Sequence, residues 1–149
     1  MQIWIDADAC PVVAKDLIIK TAIRTEILAI FVANQSIKLR KSPWVNMAVV
    51  GQGFDVADDY IADNVQAGDL VITADIPLAD AVITNGGKVL TPHGVEYTKD
   101  NIKQKLNARD FMDTMRGSGL LDPSEMGGQK PYGDKDKKAL ADGLNRLVR

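Results

Sequence analysis

The sequence predicts a doubly wound α/β fold: a parallel sheet of about five strands, helices on both faces, and a helical C-terminal tail. Short apolar segments alternate with amphipathic ones across the first ninety residues, the pattern of βαβ units. One segment, Glu26-Ile-Leu-Ala-Ile-Phe-Val-Ala33, is almost continuously apolar, as a strand covered on both faces requires. Two strands run straight into an aspartate and enter the next helix through a proline, at Asp6 to Pro11 and at Asp75 to Pro77.

Gln2 to Asp6 alternates and stops at a carboxylate, which marks a short first strand. Pro11 suits the first turn of a helix. Val12, Val13, Leu17, Ile18 and Ala22 give that helix an apolar face, to about Arg24. Glu26 to Ala33 forms the second strand. Asn34 to Pro43 is a polar loop carrying Lys38, Arg40 and Lys41, and Val45 to Val50 is the third strand, closed by Gly51 and Gly53. Asp55 to Gln66 reads as a helix with Asp55 at its N-cap. Asp69 to Ala74 is the fourth strand. Pro77 opens a helix, Leu78 to Asn85, which Gly86-Gly87 ends; Lys88 to Thr91 is the last strand. From Thr98 to Arg116 the spacing of Ile102, Leu106, Phe111 and Met115 is helical. Residues 117–133, rich in Gly, Pro and Ser, read as a mobile loop. Residues 134–148 read as a C-terminal helix, its pattern clearest from Asp136. Residues 1–149 make a single domain's length.

Hydrophobic residues make up 46% and charged residues 26%, the composition of a soluble chain. No apolar run approaches the roughly 18 residues of a membrane helix. The start lacks the basic and apolar regions of a signal peptide. A cytoplasmic protein with no membrane partner is expected. One cysteine, Cys10, excludes an internal disulfide and argues against a cysteine zinc site. One histidine, His93, excludes a multi-histidine centre. The missing Gly-rich phosphate motifs argue against a P-loop NTPase or an ordinary Rossmann dehydrogenase. Net charge is −2, distributed as +2 over residues 1–50, −7 over 51–100 and +3 over 101–149.

In an open parallel sheet, ligands bind beyond the carboxyl ends of the strands. Asp6, Asp8 and Asp75 fall there and would repel one another unless a cation or protons neutralised them. Asp58 adds a helix carboxylate; Asp55, Asp58 and Asp59 share a helix face. Oxygen ligands of this kind favour Mg²⁺ or Mn²⁺ over zinc. Such a site can activate water and clamp a phosphodiester. Simpler roles stand beside each residue. Asp55, Asp8 and Asp75 fit helix caps, and Asp80 fits a solvated surface. His93 fits a loop, Cys10 an inert thiol, and Gly51-Gln-Gly53 and Gly127-Gly128 ordinary turns. Lys38, Arg40 and Lys41, with Trp44 near, suit a nucleic-acid backbone or a solvated loop; Lys130, Lys135, Lys137 and Lys138 read the same way.

Several long motifs are distinctive: Ile5-Asp6-Ala-Asp8-Ala-Cys-Pro11, Val32-Ala-Asn34, Gly53-Phe-Asp55-Val-Ala-Asp58, Gly68 to Ala79, and Arg109-Asp-Phe-Met-Asp-Thr-Met-Arg116. Over nearly the whole chain they resemble the YaiI/YqxD family of bacterial proteins, which looks like a divergent branch of the PIN-like superfamily. The resemblance implies a doubly wound parallel fold. By analogy with Mg²⁺- or Mn²⁺-dependent ribonucleases, it also implies a metal site. Asp6 matches the first-strand acid, Asp75 the acid after the fourth strand and Asp58 the helix acid; Asp8 belongs to the family's own motif. One departure is Gly127-Gly-Gln-Lys-Pro131, where Gly-Gly-Pro is expected.

The leading expectation is a divalent-metal-dependent nuclease acting on RNA. Asp6 and Asp75 would hold the metal, and Asp8 and Asp58 would complete it or orient water. Thr73 and Asn34 would add polar contacts, and Arg109 or Arg116 would meet phosphate. The alternatives are a non-catalytic nucleic-acid-binding or regulatory module and a small-molecule phosphohydrolase.

Overall fold

The computed structural model describes residues 1–53, 56–104 and 132–148. The chain begins with β1 (Ile3–Asp6), a 3₁₀ turn (Ala7–Ala9), α1 (Val12–Thr25) and β2 (Ala29–Ala33). It continues through β3 (Val45–Val49), α2 (Val56–Asn64), β4 (Leu70–Ile72) and α3 (Ile76–Thr84). Next come β5 (Lys88–Leu90), β6 (Glu96–Tyr97) and a helical stretch over residues 99–104 (α4). The C-terminal helix is α5 (Asp134–Leu147).

The sheet has the order β3-β2-β1-β4-β5-β6. β1 to β5 pair in parallel, and β6 returns antiparallel on β5. The α/β class matches the sequence pattern, with one strand added. Two residues are too few to show a period, so β6 has no sequence signal. It forms because Gly94, at φ 86°, turns the chain sharply. Thr91 and Val95 then close the turn, Thr91 N–H donating to the Val95 carbonyl at 2.8 Å. The second strand is shorter than its apolar run. Glu26 adopts a left-handed conformation at φ 55° and donates its N–H to Ala22 O, ending α1 before β2 can begin.

Right-handed crossovers decide which face each connection covers. The chain steps outward from β1 through β2 to β3, so α1 and the following connection lie on one face. It then crosses to β4 and steps the other way, so α2 and α3 lie on the opposite face. Strand residues alternate accordingly. Ile3, Ile5, Phe31, Leu70, Ile72 and Leu90 join the core under α1 and α5. Trp4, Val32, Val71 and Val89 join the core under α2 and α3. Each fully buried Ile, Leu or Phe contributes roughly 1.5–3 kcal/mol.

Two details position the site. The β2–β3 connection carries no helix. Residues 34–44 form an extended strap that packs the half-buried Ile37, Leu39 and Trp44 against the first core and leaves Lys38 and Arg40 outside. At the amino end of the sheet, Asp69 is 5% exposed. It accepts hydrogen bonds from Gln2 N (2.9 Å), Trp4 Nε1 (3.1 Å) and Gln66 N (3.0 Å). This carboxylate pins β1 to β4 from below.

Candidate functional site

The strand order reverses between β1 and β4, so a crevice opens beyond their carboxyl ends. Asp6 ends β1 at this point and is 8% exposed. Its Oδ2 accepts from Thr73 Oγ1 at 3.2 Å, and Thr73 Oγ1 accepts from Asp75 N at 3.0 Å. The Asp75 amide therefore orients the Thr73 hydroxyl toward Asp6. Burial pushes the Asp6 carboxyl above its ordinary value of 3.8. The Thr73 hydrogen bond opposes that rise, and the charges of Asp75 and Asp8 add to it.

A shallow cleft of about 170 Å³ lies in front of Asp6. Asp6, Asp8, Asn34, Gly53, Val56, Ala57 and Asp58 line it. Asp8 stands on the 3₁₀ turn and accepts from Asn34 N at 2.9 Å, which ties the end of β1 to the end of β2. It does not cap α1, whose N-cap is Pro11. Asp58 enters from the first turn of α2, while Asp59 faces solvent. Gly53, at φ 149°, lies where a Cβ would sit 3.0 Å from Val56 Cγ2, so glycine keeps this wall open. Asp75 does not line the cleft. It caps α3, its Oδ1 accepting from Leu78 N at 2.9 Å.

The donor set suits a hard cation. Asn34 Oδ1 is buried and has no hydrogen-bond partner among the described residues, although a buried carbonyl normally finds one. It shares the cleft with three carboxylates and neither sulfur nor imidazole. Among the described residues, no three acidic, histidine or cysteine groups are gathered tightly enough to hold one ion. Mg²⁺ is commonly held by one or two carboxylates with water completing its shell, so Asp6 and Asp8 with the Asn34 carbonyl fit it.

The other sequence candidates lie apart. Lys38, Arg40 and Lys41 are exposed on the strap. The strap runs from Asn34, at the carboxyl edge, to Trp44, whose carbonyl accepts from Ala29 N at the start of β2. Lys41 is therefore near the amino edge, away from the cleft. Arg109, Arg116, Asp55, Lys130, Gly127-Gly128 and all but residues 132–133 of the 117–133 loop lie outside the described residues. His93 is a loop residue whose Nδ1 lies 3.1 Å from Asp136 Oδ1, linking the β5–β6 turn to α5. Cys10 is buried, and burial pushes its thiol up to about 12, which makes it inert. Sequence reasoning missed the buried role of Asp69, although an acid opening an apolar strand carried the same signal as Asp6.

A doubly wound α/β protein with an acidic cleft at its switch point is the class these features define. A family model described as "Uncharacterized BCR, YaiI/YqxD family" matches residues 4–149, and the chain belongs to that family. A UPF0178 protein of Psychrobacter cryohalolentis is 69% identical over 149 residues, covering all of both chains. A UPF0178 protein of Psychrobacter arcticus is equally similar. One from a Marinomonas species is 50% identical over 148 residues, 99% of this chain and 97% of its own. No solved structure matches the chain.

Proposed function

We propose that the protein is a cytoplasmic, PIN-like phosphodiesterase that acts on RNA with Mg²⁺ or Mn²⁺. One observation carries this reading: Asp6 is buried at the switch point, and among the described residues the charges that act on it are like charges, those of Asp75 and Asp8. A stable fold gains nothing from that arrangement, whereas a cation-binding site needs it. The metal, when bound, would neutralise phosphodiester charge and make water a better nucleophile.

Asp6 and Asp8 would hold the ion, with the Asn34 carbonyl completing the protein's share. Asp58, from the first turn of α2, would accept a proton from the attacking water. Thr73, oriented by the Asp75 amide, would fix the rotamer of Asp6. Asp75 thus acts by positioning Thr73 and capping α3. The test is cleavage of labelled single-stranded RNA with Mn²⁺, comparing wild type with Asp6→Asn. Metal-dependent cleavage that Asp6→Asn lacks is expected. No cleavage across a broad RNA panel, or equal cleavage by both proteins, overturns the reading.

A non-catalytic RNA-binding module is the second reading, favoured by the capping role that occupies Asp75. Its mark is salt-dependent RNA binding that needs no metal and survives Asp6→Asn, with no metal-dependent cleavage by the wild type.

A further inference from the structure

The sheet separates two layers of opposite charge. α1, the 34–44 strap and α5 all pack on the first face, and together carry ten Lys and Arg against four Asp. α2, α3 and the α4 stretch, on the other face, carry five Asp against two Lys. Along the chain the basic residues form two blocks with an acidic block between them. Folding brings those blocks together because α5 packs along α1.

A groove of about 350 Å³ runs between the two helices. Leu17, Lys20, Thr21 and Arg24 of α1 line it, with Ala141 and Asn145 of α5. Lys20 and Arg24 are four residues apart, so they rise from one face of α1. Neither makes an ion pair among the described residues, and no carboxylate lines the groove. Arg24 Nη2 donates to Asn145 Oδ1 across the groove at 2.9 Å, which holds the guanidinium over the opening and leaves other N–H groups for a ligand. The Thr21 hydroxyl donates to Leu17 O at 2.9 Å, so the floor makes no competing demand on those cations.

We infer that the groove binds phosphates of a nucleic-acid backbone through Lys20 and Arg24. Two unpaired cations in a locally positive layer attract a polyanion strongly, because each neutralised phosphate releases condensed counterions. An isolated surface charge pair lacks that neighbourhood. The site lies on the α1 side of the sheet and requires no metal, so it does not rest on the chemistry of the acidic cleft.

The test is fluorescence anisotropy of a labelled single-stranded RNA oligonucleotide in EDTA, at several salt concentrations. Wild type is expected to bind. Lys20→Ala/Arg24→Ala is expected to weaken binding about tenfold or more, and to reduce the salt slope by about 1.4, two phosphates at roughly 0.7 each. Lys99→Ala/Lys103→Ala removes the same charge from exposed positions on the α4 stretch and is expected to bind as wild type. Unchanged melting temperatures verify that the exposed substitutions leave the fold intact. Failure of wild type to bind, unchanged binding by the groove variant, or equal weakening by the control pair overturns the inference. Displacement of the RNA by micromolar pyrophosphate would make the groove a small-anion site and overturn it too.

Discussion

Replacing Asp69 with alanine removes the acceptor that ties β1 to β4 at the amino end of the sheet. Three donors lose their partner. The Trp4 indole N–H is buried, and water does not replace the carboxylate there; a stranded donor costs roughly 1–3 kcal/mol. The Gln2 and Gln66 amides are part-buried and regain water, so each bond lost costs about 1 kcal/mol net. The total is about 4 kcal/mol. In a chain of this length that lowers Tm by roughly 10 °C, at about 2–4 °C per kcal/mol. Urea unfolding followed by far-UV circular dichroism measures the loss. Trp4→Phe removes only the indole donor, and its ring still meets Tyr60 edge-on at a centroid distance of 6.2 Å. The double variant Trp4→Phe/Asp69→Ala should therefore cost about 1–2 kcal/mol less than the sum of the singles. An Asp69→Ala loss under 1 kcal/mol, or a double variant that is simply additive, refutes the pinning role.

Other outcomes follow from the same geometry. The folded pKa of Asp6 is raised, so its contribution to stability is greatest at low pH and is lost as pH climbs from 3.8 through the folded value. Asp6→Asn should accordingly melt higher than wild type at pH 7 without metal, with the difference shrinking toward pH 3; a variant that melts lower at pH 7 contradicts the strained-carboxylate account. Saturating Mn²⁺, at about 100 times its Kd, should stabilise wild type by about 2.7 kcal/mol and leave Asp6→Asn unmoved; an equal rise in both would place the ion elsewhere. Cys10 should resist a chromogenic disulfide at neutral pH and release one equivalent only on denaturation. Gly94→Ala would force a side chain into φ 86° and onto the backbone of Ala139, so a loss of about 3 kcal/mol is expected in thermal melts.

The sequence made the alternation of strands and helices legible because each buried strand carries an unbroken apolar run. The switch point was legible too, because Asp6 ends an apolar strand and the motif after β4 repeats that pattern. The roles within the cleft were less so. Asp8 and Asp75 have the same local signature, an acid two or three residues before a helix-opening proline. Yet Asp75 caps α3 while Asp8 reaches across to the Asn34 amide. Only the register of β1 beside β2 separates the two. The groove residues Lys20 and Arg24 carried no signal, since their meaning depends on α5, more than a hundred residues later in the chain. The basic strap was recognised, but its direction was not: in a parallel pair the connection must travel back down the sheet, which carries Lys41 away from the cleft.

The packing of α5 also sets an order of events during synthesis. The face of the sheet holding Ile3, Ile5, Leu70 and Leu90 is completed by Leu140, Leu144 and Val148. A ribosome that has finished all six strands has still not supplied those side chains. Until it does, part of that apolar face stays open to water and to any chaperone that recognises exposed aliphatic surface. Productive closure therefore waits on Leu140, Leu144 and Val148, and a stalled chain ending before residue 140 would present a sheet with only one of its two faces properly covered.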